Sequence, residues 1–101
     1  MVKHIVLWRL KDFAEGADKA SNAGHIKVGL ERLRGRIPGL VSIEVGVNFE
    51  PSSAAYDLAL YSVFESPEAL AAYQQHPEHA AVADFIAKVR SERVVVDYEV
   101  P

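Results

Sequence analysis

VKHIVLWRL, residues 2–10, is predicted to form a β-strand with bulky apolar side chains on both of its faces. Successive side chains of a strand point to opposite sides of the sheet. One face carries Val2, His4, Val6, Trp8 and Leu10, and the other carries Lys3, Ile5, Leu7 and Arg9. Because both faces are apolar near the middle of the strand, we expect this strand to be covered on both sides.

The remaining elements follow from hydrophobic periodicity. A helix from residue 21 or 22 to residue 37 is indicated by four apolar residues that recur with the 3.6-residue period, namely Ile26, Leu30, Leu33 and Ile37. Pro38-Gly39 is expected to end it. Further strands are predicted over residues 41–47, 56–65 and 93–100, and further helices over residues 67–75 and from residue 77 to about residue 90. Residues 11–20 are interpreted as a loop or helix approach, and residues 48–55 as a loop.

The order of these elements is β-α-β-β-α-β, with the second helix broken in two at His76-Pro77. This order predicts an α+β, ferredoxin-like fold, in which a four-stranded antiparallel sheet carries both helices on one face. A chain of 101 residues suits a single domain, residues 1–101.

Two helices cover only one face of such a sheet. The other face would expose apolar residues from several strands, a larger patch than monomers usually tolerate. We therefore expect a homodimer that stacks sheet against sheet. The alternative is a monomer whose second face is covered by residues 11–20 and 48–55, but those segments are short and polar.

Composition excludes several classes of partner. The net charge is −3 and the basic residues are dispersed, so we expect no nucleic-acid partner. No apolar run approaches the ~20 residues that span a bilayer, so we expect no membrane partner. The chain has no cysteine, and its first ten residues lack a signal-peptide pattern. These features indicate a cytoplasmic protein.

YQQHPEH, residues 73–79, brings a phenol and two imidazoles to the junction between two helices. His79 falls in the first turn of the second helix, where the helix dipole disfavours a cationic imidazole. A neutral His79 is suited to act as a general base. Alternatively, His79 caps the helix or packs on the last strand, and Tyr73 closes the first helix against the core.

Several short motifs together resemble the stress-response A/B barrel domain family, whose members form dimeric α/β barrels. They are Val2-Lys3-His4-Ile5-Val6-Leu7 followed by Leu10-Lys11-Asp12, then Ile37-Pro38-Gly39, Phe64-Glu65-Ser66, His76-Pro77-Glu78-His79 and Asp97-Tyr98. The resemblance covers almost the whole chain in the same order of elements.

The family includes stress-induced proteins and a plant polyketide cyclase, which closes a ring by acid/base chemistry. The resemblance implies that Tyr73 and His79 form the acid/base pair, with His4 in support and Asp97 as the carboxylate of the last strand. The cyclase has a further histidine early in the third strand, where this chain has Leu58.

The residues themselves leave some roles open. A carboxylate among valines needs a partner if it is buried, so Asp97 is expected to orient the His79 ring, to bond His4, or to lie at the wet end of its strand. We expect His4, Leu58 and Leu30 to line a pocket between helices and sheet. His76, which precedes a proline, is expected in a turn or cap. Its spacing from His79 matches no metal-ligand pattern, so no metal site is expected.

Two hypotheses follow. In the first, the protein is a cofactor-free enzyme of the cyclase, isomerase or lyase type that acts on a carbonyl compound, with His79, Tyr73 and Asp97 as catalytic residues. In the second, it is a non-catalytic stress-response or small-ligand-binding homodimer. An open pocket that both Tyr73 and His79 face would favour the enzyme.

Overall fold

Four strands form one antiparallel sheet in the computed structural model, which describes residues 1–101. They are β1 (Val2–Leu10), β4 (Leu40–Val47), β5 (Leu58–Phe64) and β6 (Arg90–Glu99). Two short strands, β2 (Phe13–Ala14) and β3 (Ala17–Asp18), pair separately. The helices are α1 (Lys19–Glu31), α2 (Pro67–Gln75) and α3 (Pro77–Val89).

The sheet has the spatial order β4-β5-β1-β6, with all neighbours antiparallel. The predicted α+β, ferredoxin-like fold is therefore confirmed. The β1 face with Val2, His4, Val6, Trp8 and Leu10 is buried, as its alternation indicates. None of the helices is both long enough and apolar enough to cross a membrane.

The start of α1 differs from the prediction. Residues 11–20 contain the β2–β3 hairpin, whose turn residues Glu15 and Gly16 both have positive φ angles. A two-residue turn of this kind matches the twist of the paired strands. Asp18 then caps α1 by accepting a hydrogen bond from the backbone N–H of Ser21. The helix therefore begins two or three residues earlier than predicted.

The end of α1 also differs. The helix stops at Glu31 and not at Ile37, and residues 32–36 form turns. Gly35 adopts a φ of +78°, which is incompatible with a continuing right-handed helix. Leu33 and Ile37 nevertheless remain buried in the core. The apolar period therefore identified buried residues correctly but overestimated the helix length.

β6 starts at Arg90, directly after α3 and three residues earlier than predicted. It is an edge strand, and its central valines Val94, Val95 and Val96 are 42%, 47% and 52% exposed. Val94 and Val96 lie on the sheet face opposite the helices, beside Leu7 and Ile5 of β1. Within one subunit, that face remains open.

Candidate functional site

A partly open cavity of about 170 Å³ lies between the helices and the β1–β6 side of the sheet. Its inner surface consists of buried residues from the sheet and all three helices, namely His4, Val6, Trp8, Leu30, Leu60, Tyr73 and Ile86. The remaining lining residues are at least partly exposed and belong to α3 and the start of β6: His79, Ala83, Ala87, Arg90 and Arg93. The mouth of the cavity therefore lies between α3 and β6.

The break between α2 and α3 brings Tyr73 and His79 together. His76 has an extended backbone, and its Nδ1 accepts a hydrogen bond of 3.1 Å from the backbone N–H of Glu78, so it caps α3. Pro77 occupies the first helical position, where no N–H is needed. The change of direction places the Tyr73 and His79 rings 4.2 Å apart between centroids. The expected role of His76 in a turn or cap is therefore observed.

Tyr73 is completely buried, and its hydroxyl has no hydrogen-bond partner in the protein. Its ring packs against Phe64 at a centroid distance of 4.9 Å and lies 6.3 Å from the ring of His4. Burial raises the pKa of the Tyr73 phenol well above its ordinary value. The phenol is therefore neutral at physiological pH and is available as a hydrogen-bond donor.

His79 also has an unpartnered polar atom, since its Nδ1 is buried without a hydrogen bond. Burial lowers the pKa of the imidazole, and the positive charge of Arg93 reinforces this effect. The backbone of Gln74 is near enough to oppose the lowering of the pKa, but it does not meet the geometry of a hydrogen bond with Nδ1. The ring is thus neutral at pH 7, in the form that accepts a proton. A general base requires this state.

Asp97 bonds His4. Its carboxylate oxygen lies 2.5 Å from Nδ1 of His4, and the two residues are directly opposite each other in the β1–β6 register. His4 is buried, while the Asp97 side chain is 42% exposed. The carboxylate fixes the His4 ring with Nδ1 as the donor and leaves Nε2 free of this contact. Of the three roles expected for Asp97, the structure shows the hydrogen bond to His4. Asp97 makes no contact that would orient the His79 ring.

The predicted pocket residues have different positions. His4 and Leu30 line the cavity, whereas Leu58 is fully buried and does not. Leu60, two residues further along the same face of β5, lines it instead. The strand pattern identified the correct face, but the position of the cavity along the strand depends on how α3 packs on the sheet.

Sequence reasoning assigned no site role to three other lining residues, Trp8, Arg90 and Arg93. The indole Nε1 of Trp8 is buried without a hydrogen-bond partner. Arg93 lies opposite Trp8 in the β1–β6 register. Strand alternation in the sequence puts Arg93 on the same face as Asp97, which is a weak indication that Arg93 lies near the site. Only the β1–β6 register shows that this face of β6 borders the cavity. No group of three or more His, Cys, Asp or Glu side chains is arranged to hold a metal ion.

A family model for the stress responsive A/B barrel domain matches residues 2–100. An uncharacterized protein from Streptomyces coelicolor is 33% identical to this chain over 102 residues, which covers 98% of this chain and 99% of that protein.

Solved structures show the same architecture. A dimeric protein of unknown function with a ferredoxin-like fold, from Bacteroides fragilis, is 36% identical with a TM-score of 0.87, and the match covers 98% of this chain and 95% of that one. A hydroxynitrile lyase from Passiflora edulis has a TM-score of 0.80 at 19% identity, and the match covers 99% of this chain and 93% of that one. At such low identity, the likeness to the lyase concerns the fold alone.

Proposed function

The chain belongs to the stress responsive A/B barrel domain family, and on that premise we propose that it is a homodimer whose subunits each bind a small carbonyl compound. In this proposal, His79 and Tyr73 act on the bound compound as a general base and a hydrogen-bond donor. One observation carries the proposal: the Tyr73 hydroxyl and His79 Nδ1 are buried without partners, and both residues line one cavity. Buried polar atoms of native proteins nearly always have hydrogen-bond partners, and a ligand in this cavity would supply them.

The open sheet face supports the homodimer. Val94, Val96 and Tyr98 are each more than two-fifths exposed on this face, and a second copy of the sheet would cover them. The dimeric state of the Bacteroides fragilis relative agrees with this arrangement.

Sedimentation velocity at micromolar concentration tests the assembly. We expect a dimer for the wild type and a monomer for Val96→Asp, because a charge cannot be buried in an apolar interface without a partner. Val28→Asp is the matched control, since Val28 of α1 is similarly exposed but lies on a helix. A monomeric wild type, or equal effects of the two substitutions, would contradict the homodimer.

The proposed chemistry moves only protons. Neutral His79 removes a proton from the carbon next to a carbonyl, and the electron pair of that C–H bond passes to the carbonyl oxygen. The Tyr73 hydroxyl donates a hydrogen bond to the resulting enolate oxygen. The proton then returns to the same carbon or to another position of a conjugated system, so the step needs neither an oxidant nor a cofactor.

The His4–Asp97 pair supports this site from the sheet side. Its hydrogen bond holds one ring orientation of His4 at the cavity wall, as carboxylates do for imidazoles in many sites. We assign His4 and Asp97 to positioning, because the His4 ring lies 6.3 Å from the Tyr73 ring between centroids, whereas Asp97 does not line the cavity and acts only through its hydrogen bond to His4.

Deuterium exchange tests the proposed base. A panel of small ketones and oxo acids is incubated with the protein in D2O, and loss of the α-proton signal is followed by NMR. We expect exchange at a rate that His79→Gln lowers by about 10²–10⁴-fold and Tyr73→Phe by about 10²-fold. His25→Gln, a substitution of an exposed histidine of α1 outside the cavity, should have no effect.

The non-catalytic alternative gives a different result. Leu58, the apolar residue where the family's cyclase has a histidine, favours ligand binding without that enzyme's reaction. In this case, a compound from the panel would raise the melting temperature equally in the wild type and His79→Gln, and its α-protons would not exchange. That combination would refute His79 as a base while retaining the cavity as a binding site.

A further inference from the structure

Two arginine side chains at the cavity mouth have no acidic partner. Arg9 and Arg36 each form an ion pair with a glutamate, but neither Arg90 nor Arg93 forms an ion pair in the chain. Both line the cavity together with ten other residues, none of which is acidic. Arginine is suited to such a place, because its planar guanidinium binds a carboxylate through two parallel hydrogen bonds.

The buried lining residues of the cavity differ in charge from the exposed lining residues at its mouth. Two of the buried lining residues have unpartnered polar atoms on neutral side chains, the Tyr73 hydroxyl and the Trp8 indole N–H, and both can donate to an uncharged oxygen. The mouth has two positive charges. A ligand that satisfies both ends has a carbonyl oxygen at one end and an anionic group at the other.

The cavity volume limits what lies between these groups. A cavity of about 150 Å³ accommodates a benzene molecule, so about 170 Å³ suits one six-membered ring or a chain of similar bulk. The anionic group would then lie at the mouth, near the guanidinium groups.

We propose that the cavity selects small oxo acids, whose carboxylate binds Arg93 and Arg90 at the mouth while Tyr73 binds the carbonyl oxygen inside. This inference rests on the proposed function, since it names the substrate class of the same site. Attraction by the overall charge is not the cause, because the chain has a net charge of −3. The selectivity is local to the two arginines.

Benzoate and benzamide form a suitable probe pair, because they are nearly identical in shape and differ in charge. Their dissociation constants are measured by calorimetry at about pH 8, where the His79 imidazole is neutral and adds no charge. We expect benzoate to bind the wild type about tenfold more tightly than benzamide, the lower end for hydrogen bonds to a charged group.

Substitutions locate the cause of the preference. Arg93→Gln should reduce it severalfold, and the double variant Arg90→Gln/Arg93→Gln should abolish it without weakening benzamide binding. Arg32→Gln is the charge-matched control, since Arg32 is exposed at the end of α1 and outside the cavity, and it should retain the full preference.

Three results would overturn the inference: equal binding of the two probes, no binding of either, or a preference that survives in the double variant. Equal binding would leave the proposed base intact, because the deuterium exchange experiment does not depend on ligand charge. Conversely, if His79→Gln leaves exchange unchanged, the base is refuted whatever the probes show.

Discussion

Replacing Tyr73 with phenylalanine removes one oxygen from a side chain that is 0% exposed, and that oxygen has no hydrogen-bond partner in the protein. Tyrosine to phenylalanine substitutions usually destabilise proteins when the hydroxyl is hydrogen-bonded. Here the opposite sign is expected, because the folded state loses a buried polar group that folding leaves unsatisfied.

The magnitude follows from that cost. An unsatisfied buried donor costs about 1–3 kcal/mol, and a single neutral hydroxyl belongs at the lower end of this range because charged groups cost more. We therefore expect Tyr73→Phe to raise the free energy of unfolding by about 1 kcal/mol. For a domain of this size, that change raises the melting temperature by about 4–8 °C.

Urea and thermal unfolding at one protein concentration measure the change, since association also contributes to stability. Tyr61→Phe is the control, because the Tyr61 hydroxyl accepts a hydrogen bond of 2.7 Å from Lys3 Nζ, and its loss should lower stability by about 0.5 kcal/mol. If Tyr73→Phe lowers stability by 1 kcal/mol or more, its hydroxyl has a structural partner and the argument for a vacant ligand-binding donor fails.

Three further predictions concern other parts of the fold. The folded state disfavours protonated His79, so the unfolded chain binds more protons below the ordinary pKa of 6.5. The urea midpoint of the wild type should therefore fall from pH 7 to pH 5, and it should fall less in His79→Gln. Glu31 accepts hydrogen bonds from Lys27 and from the backbone of β4, which lower its pKa; Glu31→Gln should cost about 1 kcal/mol at pH 7, and the deficit relative to wild type should shrink as the pH falls below 4.5. Gly39→Ala should cost more than Gly35→Ala by about 1 kcal/mol or more in chemical denaturation, because both have positive φ but only the first would place a Cβ 2.5 Å from another Cβ; equal losses would contradict the clash.

The lining of the cavity is not optimised for the stability of the free protein. Tyr73, Trp8 and His79 each bury a polar atom without a partner around one cavity. Such an arrangement costs stability in the free protein, and in the proposed function a ligand offsets this cost by supplying the missing hydrogen bonds. Ligand binding and stability should therefore change in opposite directions in Tyr73→Phe.

Local sequence was sufficient for the features that depend on near neighbours. The period of two assigned the buried face of β1, and the family motifs along the chain indicated the family that the comparison confirmed. The proline after His76, which has no N–H to donate, marked the break between α2 and α3. Each of these patterns involves residues close together in the sequence, so it can be recognised without knowing how distant segments pair.

Features that depend on distant segments became visible in the folded chain alone. The pairing of β1 with β6 places Asp97 opposite His4 and Arg93 opposite Trp8, and the packing of the helices on the sheet selects Leu60 over Leu58 as a cavity residue. Strand register and helix packing are set by contacts between residues many tens of positions apart. Local patterns thus identify the residues that face the core and the helix junction. Long-range pairing selects which of these residues contact one another, because that outcome depends on the packing of all the elements together.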